Sequence, residues 1–161
     1  LARADLANYV QSVLQRHHVD PRSLTLEITE STLMGRLDEA TKTMEHLRAS
    51  GVRFSIDDFG TGYSSLAYLS TLPIDSLKID RSFVAGMSQK PQNVEIVRAV
   101  LTLGKALGRK VVAEGIETTE QLATLRELGV HIGQGYLLSR PLREEQVYEL
   151  LSVSAVTPAC G

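Results

Sequence analysis

Apolar residues recur along the chain in two rhythms. Leu6, Tyr9, Val10, Val13 and Leu14 fall at helical spacing, and Pro21 ends that pattern. Leu24 to Thr29 then alternates with period two and predicts a strand. Leu37, Ala40, Met44 and Leu47 form a helical stripe that Gly51 is placed to stop. Val52 to Asp57 predicts a second strand, the glycines of Asp58 to Gly62 a loop, and Ser64 to Leu69 a short helix. A third strand is expected over Asp75 to Asp80, and a helix from Val94 to Leu107 ending near Gly108. A fourth strand is expected from Lys110 to Glu114. Thr118 and Gln121 have capping-box spacing, so a helix should begin there and carry Leu122, Leu125 and Leu128 to Gly129. Val130 to Gly133 predicts a fifth strand and Glu144 to Leu151 a closing helix. Residues 152–161 show little periodicity and are expected to be a flexible tail.

Strand and helix alternate, so the fold class is α/β with parallel strands. An open doubly wound sheet and a (β/α)8 barrel both satisfy the periodicity. The charged residues favour the barrel. In each strand one parity carries aliphatics: Leu24, Leu26, Ile28; Val52, Phe54, Ile56; Leu77, Ile79; Val111, Ala113. The other parity carries Glu27, Asp57, Lys78 and Glu114, each near the C-terminal end of its strand. Period two sends the two sets to opposite faces. In a barrel the charged set converges at the catalytic rim. In an open sheet it lies along one face, where burying unpaired charges costs several kcal/mol.

Each residue alone also has an ordinary reading. Glu27 suits an exposed edge, Asp57 and Asp58 a turn before glycines, Lys78 a salt bridge with Asp80 or another acid, and Glu114 a cap for the loop at Gly115. Taken together, three carboxylates with Asp58 beside Asp57 make an oxygen-only donor set. Such a set suits Mg2+ or Mn2+ better than zinc or copper, and a metal pair suits displacement at a phosphodiester. Gln134 shares parity with apolar Ile132 and reads as a loop residue. The four histidines show no metal-motif spacing.

Composition narrows the classes. Of 161 residues, 43% are hydrophobic and 22% charged, the balance of an ordinary globular domain. The formal charge of −2 gives no global field for long nucleic acid. No apolar run reaches the ~18 residues of a membrane span. The one cysteine, Cys160, excludes an internal disulfide framework and fits the cytoplasm. The first residue is Leu1 rather than Met, so a piece of a longer protein is expected.

The same residues carry a resemblance. Leu26-Glu27-Ile28-Thr29-Glu30, Asp57-Asp58-Phe59-Gly60-Thr61-Gly62, Leu77-Lys78-Ile79-Asp80, Ala113-Glu114-Gly115-Ile116-Glu117 and Gly133-Gln134-Gly135-Tyr136 resemble the ordered motifs of bacterial EAL-type cyclic-di-GMP phosphodiesterases. Ser139-Arg140-Pro141-Leu142 is similar to the closing signature of that family. The resemblance implies a TIM-like barrel that hydrolyses cyclic di-GMP to linear pGpG with two Mg2+ or Mn2+ ions. It implies metal binding by Glu27, Asp57, Asp58 and Glu114, and catalytic roles for Lys78, Glu114 and Gln134. Lys78 would orient the attacking water, and Glu114 would support the second metal or act as general base. Glu30 would anchor the loop carrying Asp58 to Gly62, Glu117 would support the loop after its strand, and Asp80, Gly133 and Pro141 would contact substrate.

Two family features do not appear in the sequence: the metal-binding Glu of the first strand and a further metal-binding Asn. A (β/α)8 domain has ~250 residues, so residues 1–151 are expected to be the C-terminal five βα units of an incomplete barrel. On its own such a piece is expected to be weakly active or inactive. The alternative is a degenerate module that binds cyclic di-GMP as a receptor, and a third reading is a structural α/β domain with an acidic metal site. The resemblance further implies an upstream sensor or diguanylate-cyclase-like domain and a homodimer in the full protein. Any membrane attachment would come from segments outside this sequence.

Overall fold

A computed structural model of the chain describes residues 5–62 and 66–154. Five parallel strands form one sheet in chain order: β1 (Thr25–Thr29), β2 (Arg53–Phe59), β3 (Ser76–Ile79), β4 (Lys110–Ala113) and β5 (Ile132–Gly133). Parallel strands that follow one another in space as in sequence, each joined by a helical crossover, make an arc of a barrel. Helices α1 (Leu6–Arg16), α2 (Glu30–Gly35), α3 (Leu37–Ala49), α4 (Leu66–Thr71), α5 (Arg81–Ala85), α6 (Pro91–Ala106), α7 (Thr119–Glu127) and α8 (Glu144–Ser154) connect and flank the strands.

Period-two alternation builds the core. The register aligns Ile28 with Ile56, Ile56 with Leu77, and Leu77 with Val111. That row faces the helices. Phe54, Leu77 and Ile79 are fully buried there, against Met44 and Leu47 of α3 and Val97 of α6. The helices end where the sequence places their stops. Gly51, at φ +104, adopts the left-handed conformation that closes α3. Pro91 opens α6, where its missing N–H removes no helical bond. The Thr118 side chain accepts from Gln121 N–H at 3.2 Å, and Gln121 Oε1 accepts from Thr118 N–H at 3.0 Å, so the capping box that opens α7 is complete.

The structure departs from the sequence expectations in four places. Helices α2 and α5 and a 3-10 turn at Pro21–Ser23 lie in stretches too short for periodicity to register. Strand β2 runs on through Asp58 and Phe59, which the nearby glycines had marked as loop. Strand β5 is two residues long rather than four. Helix α8 continues past Leu151 to Ser154, into the segment expected to be a tail, and residues 155–161 lie outside the described residues. Ser64 and Ser65 at the expected start of α4 also lie outside them. Among the described residues, no helix is long and apolar enough to cross a membrane.

Candidate active site

The site is built around Lys78. Its position in β3 turns the side chain to the face opposite Leu77 and Ile79. Lys78 is 5% exposed. The ammonium lies 2.7 Å from Glu27 Oε2, 3.1 Å from Asp57 Oδ1 and 2.6 Å from Glu114 Oε1. Glu27 comes from β1, Asp57 from β2, and Glu114 from the residue after β4, so one cation ties four neighbouring strands together at their C-terminal ends. Burial works against the charged lysine, but the carboxylates of Glu114, Glu27 and Asp57 outweigh it and hold the ammonium above its ordinary range. Removing one member of a buried ion cluster typically costs about 3–5 kcal/mol.

Asp58 has the wrong parity for this face, and a bulge brings it round. Ile56 pairs with Leu77 and Phe59 with Ile79, so Asp57 and Asp58 together stand opposite the single residue Lys78. Asp58 takes φ +53, a left-handed conformation that Asp tolerates better than most side chains. Asp57 Oδ1 accepts its N–H at 3.1 Å, and the Thr61 hydroxyl donates to its carbonyl at 2.8 Å. A bulge re-aims side chains in this way. As a result, one carboxylate oxygen from each of Asp57, Asp58 and Glu114 lies within 4.8 Å of the others. Phe59 returns to the aliphatic face, 6% exposed.

Negative charge exceeds positive charge here. Burial first, then Asp57 and Asp80, push the Asp58 carboxyl up. Burial also pushes the Glu114 carboxyl up, against the pull of Lys78. Two carboxyls whose ionisation is opposed by burial and by like charge are a setting that a divalent cation relieves. Three oxygen donors without nitrogen or sulfur are the chemistry that Mg2+ and Mn2+ prefer. The residues present therefore fit such an ion.

Supporting contacts fix the rim. Glu30, the first residue of α2, is 3% exposed, and its Oε2 accepts the Gly60 N–H at 3.1 Å. A Cβ on Gly62 would fall 2.7 Å from Glu30 Oε1, so glycine allows the loop to close over this carboxylate. Asp80 does not pair with Lys78. It caps α5 by accepting from the Ser82 amide at 3.0 Å and from the Ser82 hydroxyl. Burial opposes its ionisation, yet the Ser82 hydrogen bonds hold its carboxyl below the ordinary carboxylate range.

Other expected site residues lie apart from the Lys78 ion pairs. Gln134 and Gly133 sit exposed at the end of β5. The Gln134 backbone donates to Ala113 O at 2.8 Å and accepts from Ile116 N–H at 3.1 Å. Pro141 and Glu117 are exposed, and the Glu117 group engaged is its backbone N–H, which donates to Gln121 Oε1 at 2.7 Å. Sequence reasoning passed over Ser55 and Ser76, whose hydroxyls bond at 2.8 Å on the inner face. They share the parity of Asp57 and Lys78, which is the signal that marks them.

Comparison with known proteins places these features in context. The EAL domain family model matches residues 1–141. The chain is 47% identical over 151 residues to "Cyclic di-GMP phosphodiesterase NbdA" of Pseudomonas aeruginosa, covering 94% of this chain and 19% of that protein. It superposes on the solved PaMucR phosphodiesterase in its c-di-GMP complex with TM-score 0.88 and 47% identity, over 91% of this chain and 59% of that one. It superposes on the manganese/cy-diGMP complex of Klebsiella pneumoniae BlrP1 with TM-score 0.80 and 33% identity, over 86% of this chain and 35% of that one. The chain thus spans about a fifth of the first relative and less than two thirds of either solved chain.

Proposed function

Since the chain belongs to the EAL domain family, we propose that the domain it helps to build hydrolyses cyclic di-GMP to linear pGpG, assisted by Mg2+ or Mn2+. One observation carries the reading. Glu27, Asp57 and Glu114 converge on a buried Lys78, beside the oxygen group of Asp57, Asp58 and Glu114. The names of NbdA and of the solved MucR complex support the choice of substrate.

Asp57, Asp58 and Glu114, joined by Glu27, would hold the metal. A bound divalent ion supplies Lewis-acid stabilisation of the charge that grows on the phosphate. Lys78 orients a water for in-line attack, which lowers the entropic part of the barrier. Glu114, whose carboxyl is pushed up by burial, is a stronger base than an exposed glutamate and takes the proton of that water. As the oxygen of the water bonds to phosphorus, the bond to the leaving ribose oxygen breaks, and that oxygen takes a proton from solvent. Gln134 completes the polar ring around the water. Asp80, Gly133 and Pro141 contact the nucleotide. Glu30 anchors the loop behind Asp58, and Glu117 supports the loop after β4. The 161 residues alone are expected to turn over weakly or not at all.

The test is hydrolysis of cyclic di-GMP by the full-length protein with Mg2+ or Mn2+, beside Asp57→Ala. Turnover to pGpG that disappears in the variant supports the reading. Tight binding of cyclic di-GMP without turnover replaces it with a receptor role, and no binding at all leaves a structural domain.

A further inference from the structure

Two groups of carboxylates overlap in this site. Glu27, Asp57 and Glu114 surround the Lys78 ammonium, while Asp57, Asp58 and Glu114 form the oxygen cluster suited to a divalent ion. Asp57 and Glu114 belong to both. We propose that Lys78 is an internal counter-ion that competes with the divalent cation for these shared carboxylates, and so sets the metal concentration at which the site fills. The inference rests on the metal-assisted reading above.

Geometry leaves little room for indifference between the two cations. The lysine backbone is fixed in the middle of the sheet, with Lys78 opposite Val112 of β4. Its side chain is 7% exposed, so the ammonium has no route to bulk water without giving up the cluster. It already lies 2.6 Å from Glu114 Oε1 and 3.1 Å from Asp57 Oδ1. A divalent ion drawing on the same two side chains sits within a few ångströms of that ammonium, and like charges at such distances repel by kcal/mol rather than tenths. Without the metal the same ammonium keeps the acids of three strands from repelling one another. Lys78 therefore stabilises the metal-free domain and weakens metal binding by one and the same charge.

The experiment measures Mn2+ binding to the full-length protein by calorimetry, and thermal unfolding with and without Mn2+, in the absence of nucleotide. Wild type is set beside Lys78→Met and Lys78→Arg. The Met variant is expected to melt lower without metal, to bind Mn2+ about tenfold more tightly or better, and to gain more in Tm on adding metal. The Arg variant, which keeps the charge, is expected to bind Mn2+ more nearly as wild type does. A purely structural role for Lys78 predicts the opposite sign, with weaker Mn2+ binding in the Met variant. Equal or weaker binding there overturns the inference while leaving the metal reading intact. If wild type itself binds no Mn2+, the metal reading fails and the inference with it. Should the Met variant be unfolded without metal, recovery of its fold by Mn2+ supports the inference, and failure to recover sinks it.

Discussion

Glu30 Oε2 holds the backbone N–H of Gly60 at 3.1 Å, joining the start of α2 to the turn that follows Asp58. The carboxylate is buried, and the amide belongs to the turn directly after the stretch of β2 that carries Asp58, a candidate metal ligand. Glu30→Ala leaves that amide without its acceptor, a loss of about 1–3 kcal/mol. The expected outcome is a lower Tm together with at least a tenfold fall in turnover of cyclic di-GMP. Unchanged turnover at a lowered Tm would show that the bond matters to folding alone.

Asp58 offers a way to separate backbone from carboxylate. Its φ of +53 suits glycine without strain, whereas most side chains there cost roughly 1–2 kcal/mol. Asp58→Gly is expected to keep the melting temperature near that of wild type while turnover and Mn2+ affinity fall at least tenfold. Asp58→Val is expected to lose stability as well. Circular dichroism melts and metal titration of the pair distinguish the two effects.

Asp80 gives the pH dependence a sign. Its carboxyl lies below the ordinary value of 3.8 in the folded state, through the Ser82 bonds that cap α5. A group of this kind contributes stability that is present above 3.8 and is lost as pH falls through the lower folded value. Asp80→Asn is therefore expected to lower Tm at pH 7 and to differ little from wild type at the acid extreme. Melting curves across pH check the convergence.

Thr118 tests a helix cap whose side chain has no part in the proposed chemistry. Losing the hydroxyl that accepts Gln121 N–H costs about 0.5–2 kcal/mol at a helix start. Thr118→Ala is expected to lower the unfolding free energy obtained from urea melts by that amount and to leave kcat and KM unaltered.

Strand parity alone brings Glu27, Asp57, Lys78 and Glu114 to one face, and the ion pairs at Lys78 follow that pattern. The same rule fails at Asp58, because a bulge breaks the period of two and no residue in the local sequence announces it. The loop signal of Gly60 and Gly62 is strong enough to hide that β2 continues to Phe59. Asp80 was legible as an acid near a lysine, but its partner is Ser82, two residues away, in a helix of five residues with no periodicity to read. Gln134 and Pro141 depend on the family resemblance, since neither has a pattern or a buried contact of its own.

The extra residue in β2 makes chain length, as well as side-chain identity, a determinant of this site. Removing Asp58 outright would leave Asp57 alone opposite Lys78 and keep Phe59 opposite Ile79, so the strand would pair one to one and the second carboxylate would be lost from the rim. A single-codon deletion there would take a carboxylate out of the site without turning any later side chain of the strand to the other face. One inserted residue is thus what lets a strand of period two present a pair of adjacent acids on a single face.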